Sequence, residues 1–292
     1  MYTDIFGNNR VKVGMHHHTT LSDGRNSPEE VVAIYRAAGY DAIAITDHWK
    51  FGEEQHLDGF TVFSGDEINV GGSNGATGVY HILCLLAREE PQVDKEASPQ
   101  DVVDAIHKAG GLAVLAHPAW SLNTPEMIKA LRDLDGTEIF NTVSERGMSR
   151  RGDSSLIVDM LASDGYILPL LAADDSHFYR DGNYADSANA FIMVESESCE
   201  AEAVRAAIKA GRFYASEGPE IHLSFKDGVA TVDCSPAAEV VFMSNGVYSE
   251  RVTRGEDITH VEYKPLKWET YLRAYVIDKN GKKAWSQILP IS

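Results

Sequence analysis

SPEEVVAIYRAAGYDAIAITDH, residues 27–48, decides the fold class. Ser27 reads as a helix N-cap, Pro28 suits the first helical position, and Glu30, three residues after the cap, completes a capping box. Gly39 suits the helix C-terminus. Ala42-Ile-Ala-Ile-Thr46 is apolar throughout, as a strand buried on both faces should be. Asp47 and His48 follow it directly, so a buried strand ends in groups that carry chemistry.

The same unit recurs on both sides. Apolar runs at 11–15, 42–46, 61–64, 80–86, 112–116, 137–140, 168–173 and 190–194 read as strands. Ser98-Pro99-Gln100-Asp101 opens a second capped helix that ends at Gly110. Thr124-Pro125-Glu126 opens a third, and 154–163 and 200–210 read as a fourth and fifth, with Gly211 after the last. This alternation predicts an α/β fold with a parallel sheet, open or closed into a barrel. After Glu217-Gly218-Pro219 the pattern changes to short strands near 220–226, 229–234, 238–244, 247–253, 258–264, 270–278 and 283–289. Asp227-Gly228, Asn245-Gly246 and Asn280-Gly281 are hairpin dipeptides. Residues 1–217 therefore read as one domain and 218–292 as a small all-β sandwich. Trp268, Tyr271, Tyr275 and Trp285 fall at alternating strand positions and read as core.

The chain has 292 residues and a formal net charge of −18. That charge repels phosphate backbones, so broad nucleic-acid binding is not expected. No apolar run of about 18 residues predicts a membrane span, and residues 1–12 lack the apolar stretch of a signal peptide, so the expected location is cytoplasmic. Cys84, Cys199 and Cys234 are too few and scattered for a disulfide framework or a thiolate metal cluster.

A metal site must then come from histidine and carboxylate. In Met15-His16-His17-His18, residues two apart share a side, so His16 and His18 can face one ion while His17 points away. Asp23 follows in the next turn. His48 ends the second strand, Glu67 the third and His117 the fifth; His81 sits early in the fourth, and Asp175 and His177 share a side after 168–173. Strand C-termini converge at one mouth of a parallel barrel. Imidazole and carboxylate together suit Zn, Mn or Fe, and nine such groups suit two or three ions sharing a carboxylate. His17, His56, His107, His222 and His260 fit no such pattern. Asp47, Asp66 and Asp174 read as capping or supporting groups.

His16 to Gly24 resembles the first motif of the PHP (polymerase and histidinol phosphatase) superfamily. Thr46-Asp47-His48 resembles its second, and Glu67, His81, His117-Pro118 and Asp175-Ser176-His177 match the later ones in order across about residues 10–217. The resemblance implies a distorted (β/α)7, TIM-like barrel with up to three metal ions. It implies His16, His18, Glu67 and Asp175 around one ion, Glu67 bridging to a second with His81 and His117, and Asp23, His48 and His177 around a third; some members carry His where this chain has Asp23. The β-rich tail and residues 211–219 resemble the branch similar to a carbaryl hydrolase.

The expected activity is a phosphatase or phosphodiesterase acting on a small organic phosphate ester, with a metal-bridging hydroxide as nucleophile. Glu67 would hold the metal pair, and Asp175 or His177 would carry the proton. Arg146, Arg150 and Arg151 are candidate phosphate clamps, and Asn141 a candidate for orienting substrate. An amide, carbamate or carboxylic-ester metallohydrolase, or a binding module with structural metals, would use the same ligands. Loops 49–59, 69–79 and 120–123 would set the substrate.

Overall fold

A computed structural model describes residues 1–72, 78–178, 185–248 and 250–291. Residues 73–77, within the expected substrate loop 69–79, lie outside the described residues. The capping box at Ser27 forms as read: its hydroxyl accepts from the Glu30 amide at 3.3 Å, and the Glu30 carboxylate accepts from the Ser27 amide at 2.8 Å. The helix runs Pro28–Ala37 and delivers the chain to the strand Ala42–Ala44. Pro99–Lys108, Ser155–Ser163 and Ala201–Lys209 are helical as expected, whereas the helix opened by Thr124 spans only Pro125–Lys129.

The described strands form two sheets. Asn9–Gly14, Ala42–Ala44 and Phe60–Phe63 pair in parallel in one. Leu112–Leu115, Gly136–Asn141 and Leu170–Ala173 pair in parallel in the other. Val11, Val13, Met15, Ala42 and Phe63 from the first pack in one buried cluster with Leu83, Leu85, Val114 and Leu171 from the second. At the strand ends the sheets are tied by isolated parallel bridges between His17 and Ser176 and between His48 and Glu67. The chemistry-bearing segments are therefore themselves the seams between the sheets.

The all-parallel expectation is corrected in two places. Gly65–Gly71 and Val79–Leu85 pair antiparallel, because the chain between residues 71 and 79 is too short for a parallel crossover, and Val79–Leu85 pairs antiparallel with Leu112–Leu115 on its other side. Phe191–Glu195 runs antiparallel to Asn9–Gly14, with Phe213–Ser216, a strand the sequence did not announce, beside it. The antiparallel strand matters for the site. Its N-terminal end lies level with the C-terminal ends of its neighbours, so His81, early in its strand, still reaches the same mouth. The pairs Glu67–Leu83 and Asn69–His81 set Glu67 and His81 on one face.

In the C-terminal part, the strands expected at 229–234 and 238–244 are one strand, Val229–Met243. Its register shifts around Ala237, and Pro236, which reads as a break, is accommodated at that irregularity. No strand occupies 247–251 among the described residues; the next runs Val252–Tyr263. These strands join the 13-stranded sheet through the pairs Ala215–Trp285 and Ser216–Ala284 instead of standing as a separately hydrogen-bonded pair of sheets. Tyr271 and Trp285 are buried, whereas Trp268 is exposed and corrects its expected core position. No helix among the described residues is long and apolar enough to cross a membrane.

Candidate metal centre

Nine side chains from seven segments meet at the mouth. His16, His18, Glu67 and Asp175 form one group whose donor atoms lie within 4.8 Å of one another; His18, Asp23, His48 and His177 form a second, and His48, Glu67 and His81 a third. His16 Nε2 and His18 Nε2 stand 3.2 Å apart. Glu67 Oε2 lies 3.2 and 3.0 Å from them, and Asp175 Oδ1 3.3 and 3.1 Å. Ligand atoms about 2.0–2.2 Å from a tetrahedral ion stand roughly 3.3–3.6 Å from each other, so this spacing is close to that of a coordination shell. Two buried atoms here, Asp175 Oδ1 and His48 Nδ1, have no hydrogen-bond partner. Orphaned buried polar atoms are costly unless something else satisfies them, and this donor set fits a divalent cation.

Glu67 is the hub. Its Oε2 faces His16, His18 and, at 3.3 Å, His48 Nδ1. Its Oε1 faces His81 Nδ1 at 2.8 Å and His117 Nε2 at 3.3 Å. One carboxylate thus presents each oxygen to a different set of imidazoles. Asp23 is half exposed at the rim, 3.5 Å from His177 Nε2 and from His18 Nδ1. His177 Nδ1 bonds the Asp175 carbonyl at 2.7 Å, which leaves Nε2 toward Asp23.

The local backbone is bent to make this possible. Asp175 and His117 adopt φ of 52° and 27°, left-handed values that non-glycine residues take up at a cost of order 1–3 kcal/mol. Gly24 closes the turn after His18 against backbone: a Cβ there would lie 2.5 Å from the His18 carbonyl oxygen and 2.7 Å from the Thr19 amide nitrogen. Gly24→Ala is expected to cost about 1–3 kcal/mol and to loosen Asp23, read as a lower Tm together with weaker metal retention. An unchanged Tm would refute the close approach.

Charge is balanced inside the cluster. Burial alone would lower His16 and His18, but Asp175 and Glu67 outweigh it and hold His16 well above the ordinary range and push His18 up to about 9. Burial alone would raise Glu67 and Asp175, yet the surrounding imidazoles hold both well below the usual carboxylate range. For His48 burial prevails and lowers it. At pH 7 the metal-free cluster therefore stores protons on imidazoles that a cation must displace. Because His18 titrates near 9, metal affinity rises as pH climbs from 7 to 9. Zinc titrations in buffers of different ionisation heat should show at least one proton released per protein at pH 7 and fewer at pH 9; heats independent of buffer would contradict this.

Arg146, Arg150, Arg151 and Asn141 are not among the residues lining the cavity at the cluster. Arg146 is held by Asn189 Oδ1 at 2.6 Å and Glu217 at 3.2 Å, because 144–148 winds into a π-helical turn, Ser144–Met148. Arg150 is 82% exposed beside Glu145, and Arg151 is exposed. No arginine lines the mouth's cavity of about 100 Å3 among the described residues; Trp120, Val143, Ser144 and Met148 complete its lining. Asn141 is fully buried with its amide used inside the protein: Nδ2 donates to Glu138 and Asp175, and Oδ1 accepts from the Ser144 amide. His17 turns away, packed on the Tyr35 ring at 4.1 Å. Asp47 accepts from the Thr19 amide and hydroxyl, and Asp174 from Tyr35, Thr142 and the 189–190 amides, so both support the turns as read. Glu138 was not anticipated. Its one sequence signal is a charge within an otherwise uncharged strand, Gly136–Asn141.

No family model matches the chain. An uncharacterized protein of Methanocaldococcus jannaschii is 27% identical over 155 residues, 47% of this chain and 86% of that protein. A two-domain protein from Bacteroides vulgatus containing a predicted PHP-like metal-dependent phosphoesterase superposes with a TM-score of 0.54 at 15% identity, covering 100% of this chain and 97% of that one. A lesion-specific endonuclease from Pyrococcus furiosus gives a TM-score of 0.45 at 15% identity over 69% of this chain and 56% of that one. At 15% identity the likeness to the Bacteroides vulgatus protein is one of fold.

Proposed function

We propose that this chain is a PHP-type metal-dependent phosphoesterase that hydrolyses a small organic phosphate ester. In this reading residues 1–217 form a distorted (β/α)7 barrel, and residues 218–292 a C-terminal β domain without a catalytic part. The carrying observation is the division of Glu67, one oxygen toward His16, His18 and His48 and the other toward His81 and His117. His16, His18, Glu67 and Asp175 would hold one ion, Glu67, His81 and His117 a second, and Asp23, His48 and His177 a third. Such ions supply an activated water and neutralise phosphoryl oxygens.

The chain's own groups do the rest. Glu67 and Asp175, held ionised by their imidazole partners, keep the centre anionic enough to retain cations. His177 Nδ1 donates to the Asp175 carbonyl, which leaves its Nε2, 3.5 Å from the half-exposed Asp23 carboxylate, to face the third ion. Trp120 lays its ring edge-on to His117 and His81, with centroids 5.0 and 5.8 Å away, and shields that side of the mouth from water. The arginine clamp is not part of this proposal, because Arg146 is engaged elsewhere and neither Arg150 nor Arg151 lines the cavity.

Metal-loaded protein incubated with p-nitrophenyl phosphate and p-nitrophenyl acetate tests the reading. Phosphate hydrolysis should dominate, vanish with chelator and return with Zn, Mn or Fe. Acetate turnover with the phosphate untouched would favour the carboxylic-ester or carbamate alternative.

A further inference from the structure

Glu138 has no place in the motifs, does not line the cavity and is fully buried, yet nearly every group it touches belongs to the centre. Its Oε1 lies 2.8 Å from His16 Nδ1. Its Oε2 accepts from the His117 amide at 2.9 Å and from Asn141 Nδ2 at 2.8 Å. Asn141 Nδ2 also donates to Asp175 Oδ2 at 3.2 Å, so one amide group lies between two carboxylates and satisfies both. Glu138 therefore reaches His16 directly, His117 through its backbone and Asp175 through Asn141. Burying a carboxylate costs several kcal/mol unless its partners repay it, and these partners converge on the centre.

We propose that Glu138 is a positioning residue that sets which nitrogen of His16 faces the metal and holds His16, His117 and Asp175 in register, with Asn141 as its relay. The inference rests on the phosphoesterase reading only in assuming that the centre takes up a divalent cation. The logic is one of donors and acceptors. Once a cation has displaced its extra proton, the imidazole is neutral, with one N–H and one lone pair. A carboxylate only accepts, so at His16 it demands the proton on Nδ1 and leaves the lone pair on Nε2, the atom facing Glu67 and Asp175. The two donors on Oε2, a backbone amide and a side-chain amide, are fixed as donors and cannot reverse this polarity.

Glu138→Gln is the discriminating variant, because it keeps shape and volume. The new amide oxygen must face the two donors from His117 and Asn141, so its NH2 faces His16 Nδ1. That group donates, Nδ1 becomes the acceptor, and the ring proton moves to Nε2. The hydrogen bonds survive while the wrong nitrogen is presented. A merely structural role predicts no change in metal binding; a positioning role predicts a loss of about 10–100-fold.

Purified unaltered chain, Glu138→Gln and Asn141→Ala would be stripped and titrated with Zn against a chromophoric chelator, then with Co(II) followed by its visible absorption. Expected are a Glu138→Gln protein that still folds, with a metal-free Tm lowered because His16 loses a buried counter-charge, Zn binding weakened about 10–100-fold, and a changed Co(II) spectrum. Asn141→Ala should weaken binding through Asp175, and it decides the matter alone if Glu138→Gln does not fold. Affinity and spectrum unchanged in a folded variant overturn the inference and leave the phosphoesterase reading standing. An unaltered chain that takes up neither Zn nor Co(II) overturns both.

Discussion

Glu67→Ala should leave a folded protein that retains almost no metal and turns over p-nitrophenyl phosphate about 10³-fold more slowly or worse. The carboxylate is 1% exposed and lies within 3.3 Å of five imidazoles, so no neighbouring acid can replace it. Its loss removes the shared ligand of two proposed sites at once. A thousandfold corresponds to about 4 kcal/mol of transition-state stabilisation, within what bound metal supplies. His16→Ala removes a ligand from one site only and should be milder. The fold persists because the local tie at this position is made by backbone: the Glu67 carbonyl accepts from the Trp49 amide at 3.2 Å, and the His48–Glu67 bridge needs no side chain. The imidazoles that lose their counter-charge shed protons before they would stay charged and buried. Metal analysis alongside kcat checks the claim, and turnover within tenfold of the unaltered chain, with metal retained, would refute it.

The centre was legible because its donors occur where strands end, and strand ends are visible as apolar runs stopping at Asp-His, Asp-Glu or His-Pro. The two-residue spacing of His16 and His18 carried over into Nε2 atoms 3.2 Å apart, whereas Asp175 and His177 come together through the left-handed bend at Asp175. What the sequence concealed has physical reasons. Glu138 lies inside a strand, not at its end, and one charge in six residues reads as solvent-facing until the sheet on its other side is known. The antiparallel pairing of Gly65–Gly71 with Val79–Leu85 leaves no helix-period signal in the sequence, so its effect on His81 emerges only from the register. The place of Arg146 was concealed because it depends on Asn189 and Glu217, far away in the chain. The single long strand Val229–Met243 was concealed by Pro236, which breaks a regular ladder but not a bulged one.

Arg273→Leu should cost about 3–5 kcal/mol, the largest stability effect expected of a single change away from the mouth. Arg273 is fully buried and forks onto Asp159, with Nε to Oδ1 and Nη2 to Oδ2 both at 2.7 Å. Tyr271 adds a hydrogen bond to the Asp159 carbonyl at 3.3 Å. Asp159 lies on the helix Ser155–Ser163, while Tyr271 and Arg273 lie on the strand Tyr271–Ile277, so the pair joins the two sides of the boundary read at residue 217. Removing the guanidinium leaves a carboxylate only 14% exposed and without its counter-ion. The double variant Arg273→Leu/Asp159→Leu should recover much of the loss, since replacing both members of a buried pair with apolar groups is often neutral. Denaturant midpoints for the four species close the cycle, and metal affinity in the metal-loaded single variant should stay unchanged, because neither residue contacts the centre. A single variant as stable as the unaltered chain would mean that the seam is held by apolar packing alone, chiefly Trp285 stacked on Phe140 at 5.3 Å, with the ion pair fixing only the alignment of strand and helix.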